Sequence, residues 1–279
     1  MELKGLALST IKNYVNSVEE LVERYGKEAE DCSVEELKAH LVRTGKERKL
    51  SSSALNIRVC GLKYYFREVV RLPELVVSVP NPRVQRYVTE ILTGEEMGLI
   101  FRCCRDMKQK AMIALIFDTG IRIRELIGLK MKDFDKDNQC FTLYNAKGNK
   151  IRTLPYSTAL REILTNYFHA LARRPEHWLF EPYGSSGKPM NARNIQHLIR
   201  EIVRRSGISK RVHPHTFRHT FAVHYLNNGG NILRLKELLG HQYLDTTLHY
   251  LRYCNIPLKE APSPLQVWAD QNKDSNVRK

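Results

Sequence analysis

Between His213 and Tyr250 the sequence reads HPHTFRHTFAVHYLNNGGNILRLKELLGHQYLDTTLHY, and this stretch holds six of the chain's ten histidines, an arginine between two of them and a terminal tyrosine. An arginine fork matches two non-bridging phosphate oxygens, an imidazole moves a proton near neutral pH, and a phenol is a nucleophile once its proton is removed. Together these groups suit phosphoryl transfer. His215 and His219, four residues apart, could instead ligate a metal from one helix face, but the zinc-protease pattern requires Glu after the first histidine and here Thr216 follows. A purely structural cluster would bury an arginine beside two histidines with no anion to compensate, which is costly.

Local sequence sets out the elements that must position these groups. Pro214 suits a first helical turn, and the helix it opens runs to Leu226. His215, Arg218, His219 and Ala222 fall on one face, and Phe217, Phe221 and Tyr225 on another, the expected core side. Asn227 to Gly230 break the helix, Asn231 can cap the next, and Gly240 reads as its stop, leaving His241 at a helix exit. Asp245 is expected to cap a last helix starting near Thr246, with Tyr250 about one turn inside it.

HTFRH, then LGH, then Asp-Thr-Thr, then a tyrosine nine residues after His241 resembles the C-terminal signature of the tyrosine recombinase (phage integrase) family, in its compact Xer-like two-domain form. A second segment, residues 111 to 129, AMIALIFDTGIRIRELIGL, predicts a buried helix, a turn at Asp118-Thr119-Gly120 and another helix with Ile121, Leu126 and Leu129 inward. It resembles the family's first arginine box, with Arg122 and Glu125 at the matching positions; i, i+3 spacing lets the carboxylate orient the guanidinium. Arg124 stands where the family usually has a small residue and is the alternative phosphate contact. Residues 139 to 156 alternate on both sides of Lys147-Gly148-Asn149-Lys150 and predict a hairpin. In the family a lysine in a similar turn protonates the leaving 5′ hydroxyl, which the resemblance carries to Lys147 rather than Lys150.

The chain has 279 residues and a net charge of +15, unevenly spread: residues 1 to 80 carry 13 Lys and Arg against 12 Asp and Glu, and the rest 32 against 18. The basic remainder predicts salt-sensitive attraction to polyanions. Within the first part, residues 1 to 37 are net −5 and residues 38 to 71 net +7, so one side could face a duplex. Helices are expected from residue 6 to 25, with Ser9 as a cap, from Ser33 to Leu41, and from Ser51 or Ser52 to Pro73, with Leu55, Ile57, Leu62, Tyr65, Phe66 and Val69 apolar. Pro80-Asn81-Pro82, followed by Arg83 and Arg86, reads as a linker, and Thr93 with Glu96 as a capping box. Helices over residues 157 to 172 and 191 to 206 follow, the second offering Arg193, Arg200, Arg204 and Arg205 to a nucleic-acid backbone. Six cysteines without a CxxC pair, no secretory leader and no apolar run of spanning length point to a reduced cytoplasmic setting, nucleoid-associated when bound to DNA, with no membrane partner.

The expected fold is mainly α with a small β-hairpin or sheet. An all-helical core-binding domain over residues 1 to 80 is followed by a linker, 81 to 92, a mixed α/β catalytic domain, 93 to 256, and a C-terminal arm, 257 to 279, whose Leu265, Val267 and Trp268 form an apolar patch. The resemblance implies a recombinase that breaks and rejoins double-stranded DNA at recombination sites as a homotetramer. In it Tyr250 attacks the phosphodiester, Arg122 and Arg218 hold its non-bridging oxygens, His241 adds a hydrogen bond, and His215 assists proton transfer with Lys147. A phosphotyrosyl bond stores the energy of the broken phosphodiester, so no metal or nucleotide cofactor is implied. Tyr253, one turn later, is the alternative nucleophile. A type IB topoisomerase-like nicking and religating enzyme, and a non-cleaving DNA-binding protein on the same fold, are the other readings.

Overall fold

The computed structural model describes residues 5–83, 89–144, 151–175, 177–184, 187–255, 263–266 and 268–269. The chain divides into two compact units, Met1–Val88 and Thr89–Lys279. Among the described residues no helix is long and apolar enough to cross a membrane.

The first unit is all helical: α1 (Leu8–Tyr25), α2 (Val34–Glu47), α3 (Ser52–Tyr64), which continues as a π-helical turn over Tyr65–Val69, and the short α4 (Glu74–Val77). Its core is Leu21, Leu37, Val59, Leu62, Phe66 and Val76, all essentially inaccessible. Ser33 closes a capping box with Glu36 that satisfies two otherwise orphan amides, and Ser51 caps α3. Ser9 does not cap: α1 starts after Ala7 with no side-chain acceptor, and Ser9 lies inside the helix. α2 runs on to Glu47, past Leu41, because Thr44 and the basic residues after it continue the helix without a breaker. Ile57 and Val69 are exposed, contrary to the apolar pattern, because α3 buries only one stripe. The expected basic side is partly neutralised: Arg48 and Arg58 both pair with Glu20, and Arg43 pairs with Glu47.

The second unit opens on the Thr93–Glu96 capping box of α5 (Gly94–Arg102). α6 (Met107–Thr119) is buried on nearly every side, from Ala111 through Ile116, and is the hub of the main core. α7 (Ile123–Gly128) leads to an antiparallel sheet of β1 (Phe134–Asp135), β2 (Cys140–Tyr144) and β3 (Ile151–Pro155), in that order. β2 and β3 pair from Cys140 with Pro155 to Tyr144 with Ile151, which brackets the expected hairpin tip; Lys147 and Lys150 lie outside the described residues. α8 (Thr158–His169) and α9 (Ala192–Ser206) follow, the latter burying Ile195, Ile199 and Ile202. Arg205 is not free for a nucleic-acid backbone, since its guanidinium donates to the Cys103 carbonyl at 3.0 Å. Then come α10 (Pro214–Asn227), α11 (Ile232–Leu239), α12 (Asp245–Leu248) and a 3-10 turn, His249–Tyr253.

α10 departs from a two-faced reading. Phe217 is buried while Phe221 and Tyr225 are only half-buried, and Arg218 and Ala222 on the other face are buried too. Core elements cover more than one face of it: α6, α11 and the final 3-10 turn all pack on it. Of the apolar arm patch, Leu265 and Trp268 are described and exposed, and Val267 lies outside the described residues.

Candidate active site

The site is assembled by backbone turns that carry glycine. Gly120, at φ +65, ends α6 in the left-handed conformation, and a Cβ there would collide with the Phe221 ring and come within 2.9 Å of Leu239. That close approach puts its carbonyl within 2.6 Å of Arg218 Nη1. Gly240, at φ +64, ends α11, and a Cβ there would sit 2.6 Å from Arg152 Nη1. The turn behind it presents the Leu239 carbonyl to Arg218 Nη2 at 2.6 Å and sends His241 back toward the same guanidinium, 3.1 Å from Nη2.

Arg218 is 3% exposed, and among the described residues it pairs with no carboxylate; two main-chain carbonyls and an imidazole hold it. Burial lowers its pKa to about 10, with the charge of Arg122 adding to the effect, so it stays charged at neutral pH. The one carboxylate near it, Glu125, is already occupied. Glu125 accepts from the Arg122 amide at 2.7 Å and its Nη1 at 3.2 Å, and from both Nη atoms of Arg152 at 3.0 and 2.9 Å. Arg152 also donates from Nε to the Leu238 carbonyl at 3.1 Å, tying β3 to α11. Three guanidinium groups, Arg122, Arg152 and Arg218, near the one carboxylate of Glu125 leave two positive charges uncompensated among the described residues. Such a set calls for an anion.

His219 and His241 are neutral hydrogen-bonding groups. Burial, then the Arg218 charge, brings His241 down to about 4. Because Arg218 can only donate, His241 Nε2 must accept, so Nδ1 carries the proton and donates to the buried Thr247 Oγ1 at 2.8 Å. His219 is likewise lowered to about 4 by burial and by His215, and His215 is lowered by burial and Arg218.

Tyr250 is 4% exposed on the 3-10 turn, and its Oη lies 3.0 Å from His219 Nδ1. Burial raises its pKa and the Arg218 charge opposes the rise. Asp245 is not the cap of its helix: Leu244 already has helical angles, so Asp245 is the first helical residue and caps nothing with its side chain. The hydroxyl of Tyr253 is directed elsewhere, to the Thr89 amide at 3.4 Å and to His249 Nε2 at 3.4 Å.

Arg122, Glu125, Arg218, His241 and Tyr250 are thus linked into one cluster through shared partners, with His215 beside His219 at 6.3 Å between ring centres. Arg124 is exposed and lines a groove with Glu125, Lys130 and Lys132. Sequence reasoning missed Arg152, whose only local signal is a basic residue on a β-strand, and gave no role to His219 and Thr247.

Residues 90–254 match the phage integrase family, and residues 1–74 match the phage integrase N-terminal SAM-like domain. The chain belongs to the phage integrase family. A tyrosine recombinase of Pseudothermotoga lettingae is 30% identical over 261 residues, covering 90% of this chain and 90% of the relative. Tyrosine recombinase XerC of Lactobacillus delbrueckii subsp. bulgaricus is 31% identical over 236 residues, covering 79% and 78%. A lambda integrase dimer bound to a COC′ core site shares the fold at a TM-score of 0.71 and 17% identity, over 88% of this chain and 92% of that one. A lambda integrase tetramer bound to a Holliday junction does so at 0.70 and 18%, over 87% and 74%. For an integrase-family chain, a pocket with excess positive charge around a phenol is the chemically sensible arrangement: a pentacoordinate phosphorane carries one more negative charge than the diester it comes from.

Proposed function

We propose that this chain is a site-specific DNA recombinase that cleaves and rejoins duplex DNA through a 3′-phosphotyrosyl intermediate, in integration, excision or resolution, as a homotetramer on paired sites. The observation that carries the reading is Arg218, a buried guanidinium that pairs with no carboxylate among the described residues and is held by main-chain carbonyls beside a buried phenol. In this reading Arg218 and Arg122 bind the non-bridging oxygens and gain strength as charge builds on them. Glu125 and Arg152 fix Arg122, since a carboxylate shared between two guanidinium groups restricts both. His241 braces Arg218 in the free protein and, once the bound phosphate favours protonation at Nε2, gives up that bond and donates to a phosphate oxygen instead. Tyr250 attacks phosphorus and Lys147 protonates the departing 5′ oxygen with the help of His215. The family match, the relatives named tyrosine recombinase and the DNA-bound structures of the same fold support the assignment.

The test is a nicked suicide duplex taken from the DNA that the protein footprints beside its own gene. Tyr250→Phe removes one hydroxyl and is expected to bind this duplex normally but form no covalent adduct, while Tyr253→Phe forms it. An adduct that survives Tyr250→Phe and maps to Tyr253 by peptide mass spectrometry overturns the choice of nucleophile, and no adduct with the parent protein favours non-cleaving binding.

A further inference from the structure

The phenol proton has to go somewhere, and the hydrogen bond already built to it comes from a residue given no role above. We propose that His219 is the general base that takes the Tyr250 hydroxyl proton, through Nδ1, as Oη attacks phosphorus. The inference rests on Tyr250 being the nucleophile.

Three observations point to His219 over its neighbours. Its Nδ1 is 3.0 Å from Oη, with the rings 5.6 Å apart, so in the Nε2–H tautomer the phenol donates straight to Nδ1. His241 is excluded by its own bonding: Nε2 accepts from Arg218 and Nδ1 faces Thr247, which leaves no free lone pair for the phenol. His215 packs its ring 6.3 Å from that of His219, and the hydrogen bond to the phenol is made by His219. His219 also follows Arg218 directly on α10, so one helical turn carries both the anion clamp and the base.

The acid–base balance works only if the transfer is concerted with bond formation. Burial, then the neighbouring imidazoles and the Arg218 charge, keep His219 unprotonated, so its Nδ1 lone pair is available. In the free protein the buried phenol is a far weaker acid than an imidazolium, and the proton stays on Oη. As the Oη–P bond forms, the oxygen's affinity for its proton collapses, and the proton crosses to Nδ1. The P–O5′ bond breaks, its electron pair leaves with the 5′ oxygen, and that oxygen takes a proton from the separate leaving-group acid. The charge of the phosphate, set beside Arg218, offsets the imidazolium that results. In religation each proton returns: the 5′ hydroxyl gives up its proton and His219 reprotonates Oη.

His219→Asn keeps an acceptor near the Nδ1 position but cannot take up a proton. On the nicked suicide duplex of the preceding section it is expected to bind normally and to form adduct on the order of 100-fold more slowly, with a rate that keeps rising with pH where the parent levels off. Replacing the scissile 5′ oxygen by sulfur makes a leaving group that needs no acid, and it is expected not to restore the His219→Asn rate. Adduct formation at the parent rate, recovery on the sulfur substrate, or an unchanged pH profile overturns the proposal. If His219→Asn fails to bind, the parent protein decides by long-range proton–nitrogen NMR of the imidazole: an Nε2–H tautomer is required, and a proton on Nδ1 overturns the assignment. Loss of adduct in His219→Asn with an adduct still formed by Tyr250→Phe would locate the error in the nucleophile, not the base.

Discussion

His40 in the first unit and His219 in the second are both held near pKa 4 by burial, yet they stand in opposite company. His40 is 1% exposed on α2, packs 6.5 Å from the Tyr25 ring, and leaves Nδ1 without a hydrogen-bond partner. His219 lies beside the Tyr250 phenol and the His215 ring, within reach of the Arg218 charge, and its Nδ1 is bonded to Oη. A depressed imidazole pKa therefore marks burial in both units, and only the partners separate a core histidine from a catalytic one. The same contrast holds for charge. One carboxylate, Glu20, pairs both Arg48 and Arg58 in the first unit, whereas Arg218 is held by main-chain carbonyls that leave its charge for a ligand.

If that contrast is right, substitutions in the two places should fail differently. Arg218→Lys keeps a charge but loses the planar fork, and it should lower the rate of adduct formation on the order of 1000-fold with thermal unfolding and duplex binding little changed; a protein that unfolds instead would make Arg218 a structural residue like His40. At His40 the effect should be on folding alone. The unfolded chain takes up a proton below the ordinary imidazole value of 6.5 and the folded chain only near 4, so between those pH values the unfolded state binds more protons. Stability should then fall with pH through that window, by up to about 3 kcal/mol, and change no further from this source below it. His40→Leu should remove this component, as read by the pH dependence of amide exchange in α2 against the parent; identical curves would show that His40 does not titrate as its burial demands. Smallest is Arg152→Lys, which retains charge beside Glu125 but gives up its two-pronged contact. Adduct formation should drop about tenfold with Arg122 still in place, and a loss as deep as that of Arg218→Lys would mean that Arg152 itself touches the phosphate.

Much of this site was readable because its signals are local. The proline at the start of α10, the glycines ending α6 and α11, the cap at Ser33 and the capping box at Thr93 each depend on residues a few positions apart. Arg152 and Thr247 were not readable, because their importance comes from packing across the fold: Arg152 is 27 residues from Glu125 and 86 from the carbonyl of Leu238. His219 was in view, but its partner lies 31 residues on and only the packing of the final 3-10 turn on α10 brings them together. Asp245 misled because an acidic residue suits the first turn of a helix as well as the position before it, and here Leu244 takes the outer place. Arg205 looked like a free charge on an amphipathic helix, and a carbonyl on another element claimed it.

The peptide carrying Tyr250 is pinned on either side of the phenol. Before it, Thr247 meets His241; after it, the Tyr253 hydroxyl accepts from the Thr89 amide and the Asn255 amide donates to the Asn227 side chain at 3.0 Å. Tension applied to the polypeptide downstream is therefore taken up first at the Asn255–Asn227 clasp, at the end of α10, the helix that bears Arg218 and His219. Tyr250, His219 and Arg218 share one mechanical anchor, and a pull on the C-terminal segment loads all three together.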